Sequence, residues 1–472
     1  MTIAKPTASW GAFLFGLNSL RLLALCGGVA LYAININVVN TLLPTLVKDI
    51  GGLELYSWAT SLFVAASILS VALSTSLLHV FGLRAAFLLA ILVFTLGSIC
   101  TAFSTNIYFL LGARSLQGVG GGLLLGLSYT AIRLVFSAPL WLRATALISS
   151  MWGVAALAGP AVGGIFAQSG HWRLAFIAPL PIAVVVAFLV ILSLKPREEN
   201  QAQPLPYIPI FKAALLSWSV IVIAFGSLSA SLLLMALSVV IVFTILYGIA
   251  RDDENHPQTA LFPTGSYTFS QPLGSLYASI AVVSMVMGIG VFAPYFLEEI
   301  HGMSPLWAGY MTALIPAGWA LGALSTVRVT SASTGKYFII GPLFSALSLV
   351  ALGVLLPWQA LSARLDLIWT LTIPLFGVGL GLGVVWPHLI IRIFHFAPSG
   401  QENTATAAMI TWQLYALSVG VAVAGMITTE VGLDIGLAYT QLSARLLFMM
   451  YALLPVLFVF VSRTARLSFK EP

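Results

Sequence analysis

The chain has 472 residues, 60% hydrophobic and 7% charged, with a formal net charge of +6 and a mean hydropathy of +1.04. Soluble globular proteins carry about 25% charged residues, so water is excluded as the solvent for most of this surface. The positive balance gives no sign of a nucleic-acid partner, because the lysines and arginines stand singly between apolar blocks and form no basic stripe.

Many of the blocks run about 20 residues, the length at which a helix crosses roughly 30 Å of hydrocarbon. Ten-residue alternation, the mark of an outer-membrane barrel, is absent. An all-α polytopic membrane protein is therefore expected. The first block starts after Arg21 and lacks a small-residue cleavage site, so 22–45 is read as a retained span. In it Asn37, Asn40, Thr41 and Pro44 share one helical stripe, while Asn35 points well away from it. Buried amides need partners, so these asparagines either bond neighbouring helices or line a cavity. Spans 57–79 and 85–103 follow, joined by a loop containing His79 and Gly82. Cys26 and Cys100 fall in apolar segments and read as small hydrophobes, with no disulfide, metal or catalytic role.

Span 107–134 carries Arg114, the clearest charge inside an apolar block, with Gln117 three residues on along the same face. An arginine there needs a helix carbonyl, a neighbouring side chain or a substrate anion, and the plainer reading is that it only ties helices together. Gly118, Gly122 and Gly126 recur every four residues, a groove for close helix approach. Span 142–168 contains Gly159, Pro160, Gly163 and Gly164, which kink a helix and permit tight crossing. Span 173–194 completes the first half.

A Pro-rich polar stretch, 195–209, precedes the apolar block 213–250. As one helix that block would be roughly 55 Å long, beyond what tilt absorbs in a bilayer. Split near Gly226-Ser227-Leu228-Ser229, it becomes a two-helix hairpin. Six spans follow at 274–298, 304–327, 338–357, 366–391, 403–429 and 444–463, making fourteen. Lys5, Arg21, Arg84, Arg133, Arg143, Lys195, Arg197, Lys212, Arg251, Arg328, Lys336, Arg392, Arg463, Arg466 and Lys470 then share the side of the termini. Only Lys48, Arg173, Arg364 and Arg445 lie opposite. That bias makes the terminal side cytoplasmic, and thirteen spans would erase it. The organisation expected is a six-helix bundle over 1–199, a linker with the hairpin over 200–265, and a second six-helix bundle over 266–472. Two such halves suggest transporter repeats with a site between them. In the second half Trp319, Trp386, His388, Trp412, Gln413 and Tyr415 are candidate pocket residues, although membrane aromatics also pack or sit at interfaces. Glu298, Glu299, Asp366, Glu402 and Glu430 map near span ends, where water reaches them. No set of carboxylates, histidines or cysteines converges as a catalytic or metal site, so no enzyme and no metal is expected.

Several motifs together resemble the fourteen-helix drug:proton antiporters of the major facilitator superfamily. Asn40-Thr41-Leu42-Leu43-Pro44 is similar to the end of that family's first helix. Gly97-Ser98, Asn106 and the run Ala113 to Gly122 match its third and fourth helices. Gly159-Pro160 with Gly163-Gly164 resembles the antiporter signature of its fifth, followed by Trp172-Arg173, Phe176 and Pro181. Tyr295, Gly302-Met303-Ser304-Pro305, Ala308-Gly309 and Pro316 look like its ninth and tenth helices. The resemblance runs from about 35 to 425. It implies two six-helix bundles with an inserted hairpin, rocking alternate access, a monomer, no cofactor, and export driven by proton influx, commonly of lipophilic or cationic drugs.

Two positions depart from the family pattern. Asn35 stands where an acid is usual, and His79 replaces an acid in the loop after the second helix. Asparagine neither carries a proton nor attracts a cation. A neutral, zwitterionic or anionic solute therefore suits Arg114 better than a cation, and a retained proton carrier falls to His388 or Glu402. The expectation is a proton-coupled exporter of an amphipathic drug or a metabolite such as a siderophore, in a bacterial inner membrane. An uncoupled facilitator is the alternative, and a non-transporting membrane receptor is the alternative of another class.

Overall fold

The computed structural model describes residues 16–137, 140–196, 209–226, 232–326, 331–361, 369–399, 401–432 and 436–464. Regular structure in them is helical throughout, and eleven helices are long and apolar enough to cross a membrane. The long helices of the first half are α1 (Leu17–Ile50), α2 (Trp58–Ala102), α3 (Ile107–Val135), α4 (Trp141–Gln168) and α5 (Leu180–Ser193). What were read as two spans on either side of Gly82 run on as α2. Its two arms meet at Gly82, whose backbone (φ 76°, ψ 165°) is left-handed and non-helical. The side chain of Asn106 starts α3 by accepting from the Phe109 amide at 2.9 Å.

Small residues set the spacing. A Cβ at Gly118 would collide with the carbonyl of Phe63, so α3 lies directly on the first arm of α2. Serine hydroxyls along this seam bond carbonyls, as Ser67 does to Phe63 at 2.7 Å and to Gly118 at 3.0 Å. This is how membrane helices associate where lipid is as apolar as the side chains.

The middle of the chain supplies α6 (Ile210–Gly226) and α7 (Leu232–Asn255). The expected break of block 213–250 lies at its centre in residues 227–231, outside the described residues. At the base of this pair, buried Asp253 accepts from Lys212 Nζ at 2.5 Å, from the amides of Leu261 and Phe262, and from the Tyr267 hydroxyl at 2.6 Å. Burial, with the Asp253 charge beside it, pushes the Tyr267 phenol far above its usual range. The pair is thereby tied to the loop leading into the second half. In addition, α6 bonds to both halves. The Trp58 indole donates to Ala224 O at 3.1 Å, and the hydroxyls of Ser219 and Tyr415 bond at 3.1 Å.

The second half comprises α8 (Pro272–Val286), a 3-10 turn over Met287–Val291, α9 (Ala293–His301), α10 (Pro305–Ser325), α11 (Ser331–Leu355), α12 (Thr372–Gly383), α13 (Trp386–Phe396), α14 (Glu402–Val431), α15 (Leu437–Tyr451) and α16 (Leu453–Val461). Opposite the termini, the two halves meet. Lys48 at the end of α1 pairs with Glu299 of α9 at 2.5 Å, and the Tyr56 hydroxyl donates to Val291 O at 3.0 Å. Beside them Asp49 accepts from Trp172 Nε1 and Arg173 Nη1, both at 2.9 Å. At the terminal end, Arg21 reaches Val135 O at 3.2 Å and Ser193 O at 3.4 Å, gathering the start of α1 with the ends of α3 and α5.

Candidate functional site

Three helices bring the polar residues of the first half together. Arg114 on α3 is 1% exposed. Its Nε donates to Ala59 O at 3.2 Å, and its Nη1 donates to Asn35 Oδ1 at 2.6 Å and to Gln117 Oε1 at 2.5 Å. Gln117 Nε2 passes the network on to Ser98 Oγ at 2.7 Å, which donates to Phe94 O at 3.0 Å. The guanidinium carbon lies 4.2 Å from the centroid of the Phe63 ring. Nη2 is buried and has no hydrogen-bond partner among the described residues. Arg114 and Gln117, and Asn35 singled out separately, thus form one cluster. Ser98, Phe63 and the Ala59 carbonyl join it, and the sequence reading missed them as site residues; only Ser98, through its place in the Gly97-Ser98 motif, left a signal.

The remaining asparagines go elsewhere. Asn37 bonds back to Ala33 O at 2.9 Å and packs on Gly159, where a Cβ would collide with its own. Asn40 keeps a buried Oδ1 without a partner. Gly163 lies against Val38 and Thr41 of α1, whereas Gly164 lies against Leu306 and Pro160 against Gly309, both on α10. The Gly-Pro stretch of α4 is therefore wedged between the two halves. Gly122 packs on Ser67 and Ser70 of α2, so the α3 glycines build the helix contact read from their spacing. His79 and Gly82 lie at the terminal end of the first arm of α2, remote in sequence from this cluster.

In the second half Trp319 and Trp386 pack at 5.0 Å between ring centroids, both half-buried. His388 follows on α13 with a buried Nε2 that lacks a hydrogen bond among the described residues. Trp412 donates to Tyr277 O at 2.9 Å, stacks on Tyr415 at 5.2 Å and meets Phe262 edge-on at 5.4 Å. Trp412 and Tyr415 thus hold α14 to α8 and to α6, a structural setting for two expected pocket residues. Gln413 between them is half-buried, and the side chain of Glu402 lies outside the described residues. Glu298 corrects an expectation: instead of a water-exposed span end, it is half-buried beside the Lys48–Glu299 pair, with Oε1 buried and unbonded. Asp366 lies outside the described residues. Among the described residues no three metal-ligating side chains converge.

The family model described as Major Facilitator Superfamily matches residues 25–421. A Mycobacterium tuberculosis (strain ATCC 25618 / H37Rv) protein named probable multidrug-efflux transporter is 32% identical over 461 residues, covering 93% of this chain and 95% of that one. A multidrug efflux pump of Staphylococcus aureus (strain N315) is 26% identical over 290 residues, 61% of this chain and 64% of that protein. Among solved structures, the peptide transporter POT superposes with a TM-score of 0.68 at 16% identity, covering 98% of this chain and 97% of that one.

Proposed function

The chain belongs to the major facilitator superfamily, a multi-pass membrane transporter and not an enzyme, and we propose that it is a secondary active exporter of an amphipathic organic solute. The solute is a drug or a metabolite such as a siderophore, moved by alternating access. The energy comes from proton influx, no cofactor takes part, and the chain works as a monomer in a bacterial inner membrane. Arg114 and Gln117 make the polar contacts, Asn37 and Asn40 line the path, and the Gly159–Gly164 stretch shapes the moving helix. The observation that carries this reading is the position of α4, whose Gly-Pro stretch touches α1 on one side and α10 on the other. A proline-containing helix in contact with both halves suits rocking. The efflux names of the relatives support the direction of transport.

We also read fourteen spans, with both termini cytoplasmic and bundles over 1–199 and 266–472 flanking the hairpin. The Lys48–Glu299 pair supports it. It sets the end of α1 beside the end of α9, both opposite the termini. A single span over 213–250 would send α9 the other way.

The second reading, an uncoupled facilitator of a neutral or anionic solute, is favoured by Asn35, which offers Arg114 an amide where a carboxylate would carry a proton. Flux of matched cationic, neutral and anionic fluorescent solutes into vesicles, with and without an imposed pH gradient, separates the two. Gradient-driven movement supports the exporter. Gradient-independent flux favours the facilitator, and binding without flux favours a receptor.

A further inference from the structure

Negative charge is scarce throughout the first half. Asp49 and Glu54 are the only acids among the first 197 residues. Asp49 is taken by Trp172 and Arg173, and Glu54 is exposed at the far end in the turn before α2. Arg114 takes part in none of the ion pairs among the described residues. Its three acceptors, Asn35 Oδ1, Gln117 Oε1 and Ala59 O, are all neutral, and they engage only Nε and Nη1. The side chain is 1% exposed, and Nη2 has no acceptor.

A guanidinium stays charged in proteins, so it cannot escape burial by losing its proton. A buried charge without a counter-charge is strongly unfavourable, and an unbonded donor on it adds a further penalty. An anion at Nη2 would meet both deficits at once, bringing acceptor and charge together. A charge-assisted bond of this kind is roughly twice as strong as a neutral one.

We propose that Arg114 is an anion-binding site whose ligand is a monoanion, and that Asn35 keeps it open by withholding the fixed carboxylate that would otherwise occupy the guanidinium. The monoanion is either inorganic halide or the carboxylate head of the transported solute. The second source rests on the exporter reading above and narrows its substrate to organic anions. Asn35 is then a specificity-determining residue: at 2.6 Å from Nη1, Asp at this position would make a permanent ion pair.

The test measures binding rather than transport. Purified full-length protein in lipid nanodiscs, in a low-salt zwitterionic buffer, is titrated with chloride and separately with benzoate. Benzyl alcohol and benzylammonium serve as neutral and cationic controls, and the thermal midpoint and tryptophan fluorescence are followed. The wild type is expected to respond saturably to an anion, and Asn35→Asp to bind it at least tenfold more weakly. Gln117→Glu supplies the same fixed charge from the other acceptor, should Asn35→Asp fail to fold. A response to chloride that benzoate does not displace assigns an inorganic counter-ion. Displacement of chloride by benzoate assigns the solute head. A wild type indifferent to both anions, or acidic variants that bind them as tightly, overturns the proposal. Because no flux is read, a protein that binds anions without transporting them would refute the exporter and leave this site standing.

Discussion

Arg114 uses geometry as well as charge, since its Nε and Nη1 reach acceptors on α1, α2 and α3 at once. A lysine ammonium is a point charge on a flexible stem and cannot span all three. Arg114→Lys is therefore expected to lower vesicle flux at least tenfold while leaving membrane insertion unchanged. Arg114→Ala also strands the acceptors of Asn35 and Gln117, at about 1–3 kcal/mol for each buried group. That loss is measured as a lower unfolding midpoint. Trp412 makes the opposite prediction. Trp412→Phe removes its bond to Tyr277 O and trims the ring packed on Tyr415 and Phe262, and should cost about 1–3 kcal/mol of stability with no change in solute preference. An altered preference in flux assays would return Trp412 to the pocket. Arg114 with Gln117 was legible in the sequence because a lone charge in an apolar block has few explanations. The Ala59 carbonyl was not, since a main-chain acceptor leaves no trace in residue identity.

Among the elements, α6 and α7 gain most from being seen in three dimensions. Their apolar length could be read as two helices, but no periodicity tells which neighbours they choose. The choice rests on single bonds from Trp58, Ser219 and Tyr415, and on the Asp253 latch at the base. Lys212 and Asp253 are both buried, so removing one partner leaves an uncompensated charge. Lys212→Met is expected to destabilise the protein by about 3–5 kcal/mol and to speed proteolysis in the loop over 256–271. Unchanged stability and cleavage would show that the amides of Leu261 and Phe262 and the Tyr267 hydroxyl hold Asp253 without Lys212. The glycines of α3 and α4 were the most legible elements, because four-residue spacing of small side chains has a direct geometric meaning. Which helix each would touch, including the crossing of Gly164 to Leu306 in the other half, was not.

At the scale of the molecule, Lys48 and Glu299 join the halves at the end opposite the termini. The side chains of that pair are 58% and 32% exposed, so it contributes at most about 1 kcal/mol. Lys48→Ala should therefore raise the labelling rate of a cysteine placed at this seam only several-fold. The swap Lys48→Glu with Glu299→Lys should restore it, and failure of the swap would show that packing around Tyr56 holds the halves together there. The helical class was readable from composition and block length, because bilayer thickness fixes the length of a span. A last consequence follows from the unpaired guanidinium of Arg114. With the site empty, rocking carries one uncompensated positive charge through part of the membrane field, and with an anion bound that charge is neutralised. A transmembrane voltage does work of about 2.3 kcal/mol per charge per 100 mV on a full crossing, scaled by the fraction of the field traversed. Voltage thus acts on the return of the empty protein and spares the loaded step, so hyperpolarisation would set turnover without altering which solute is chosen.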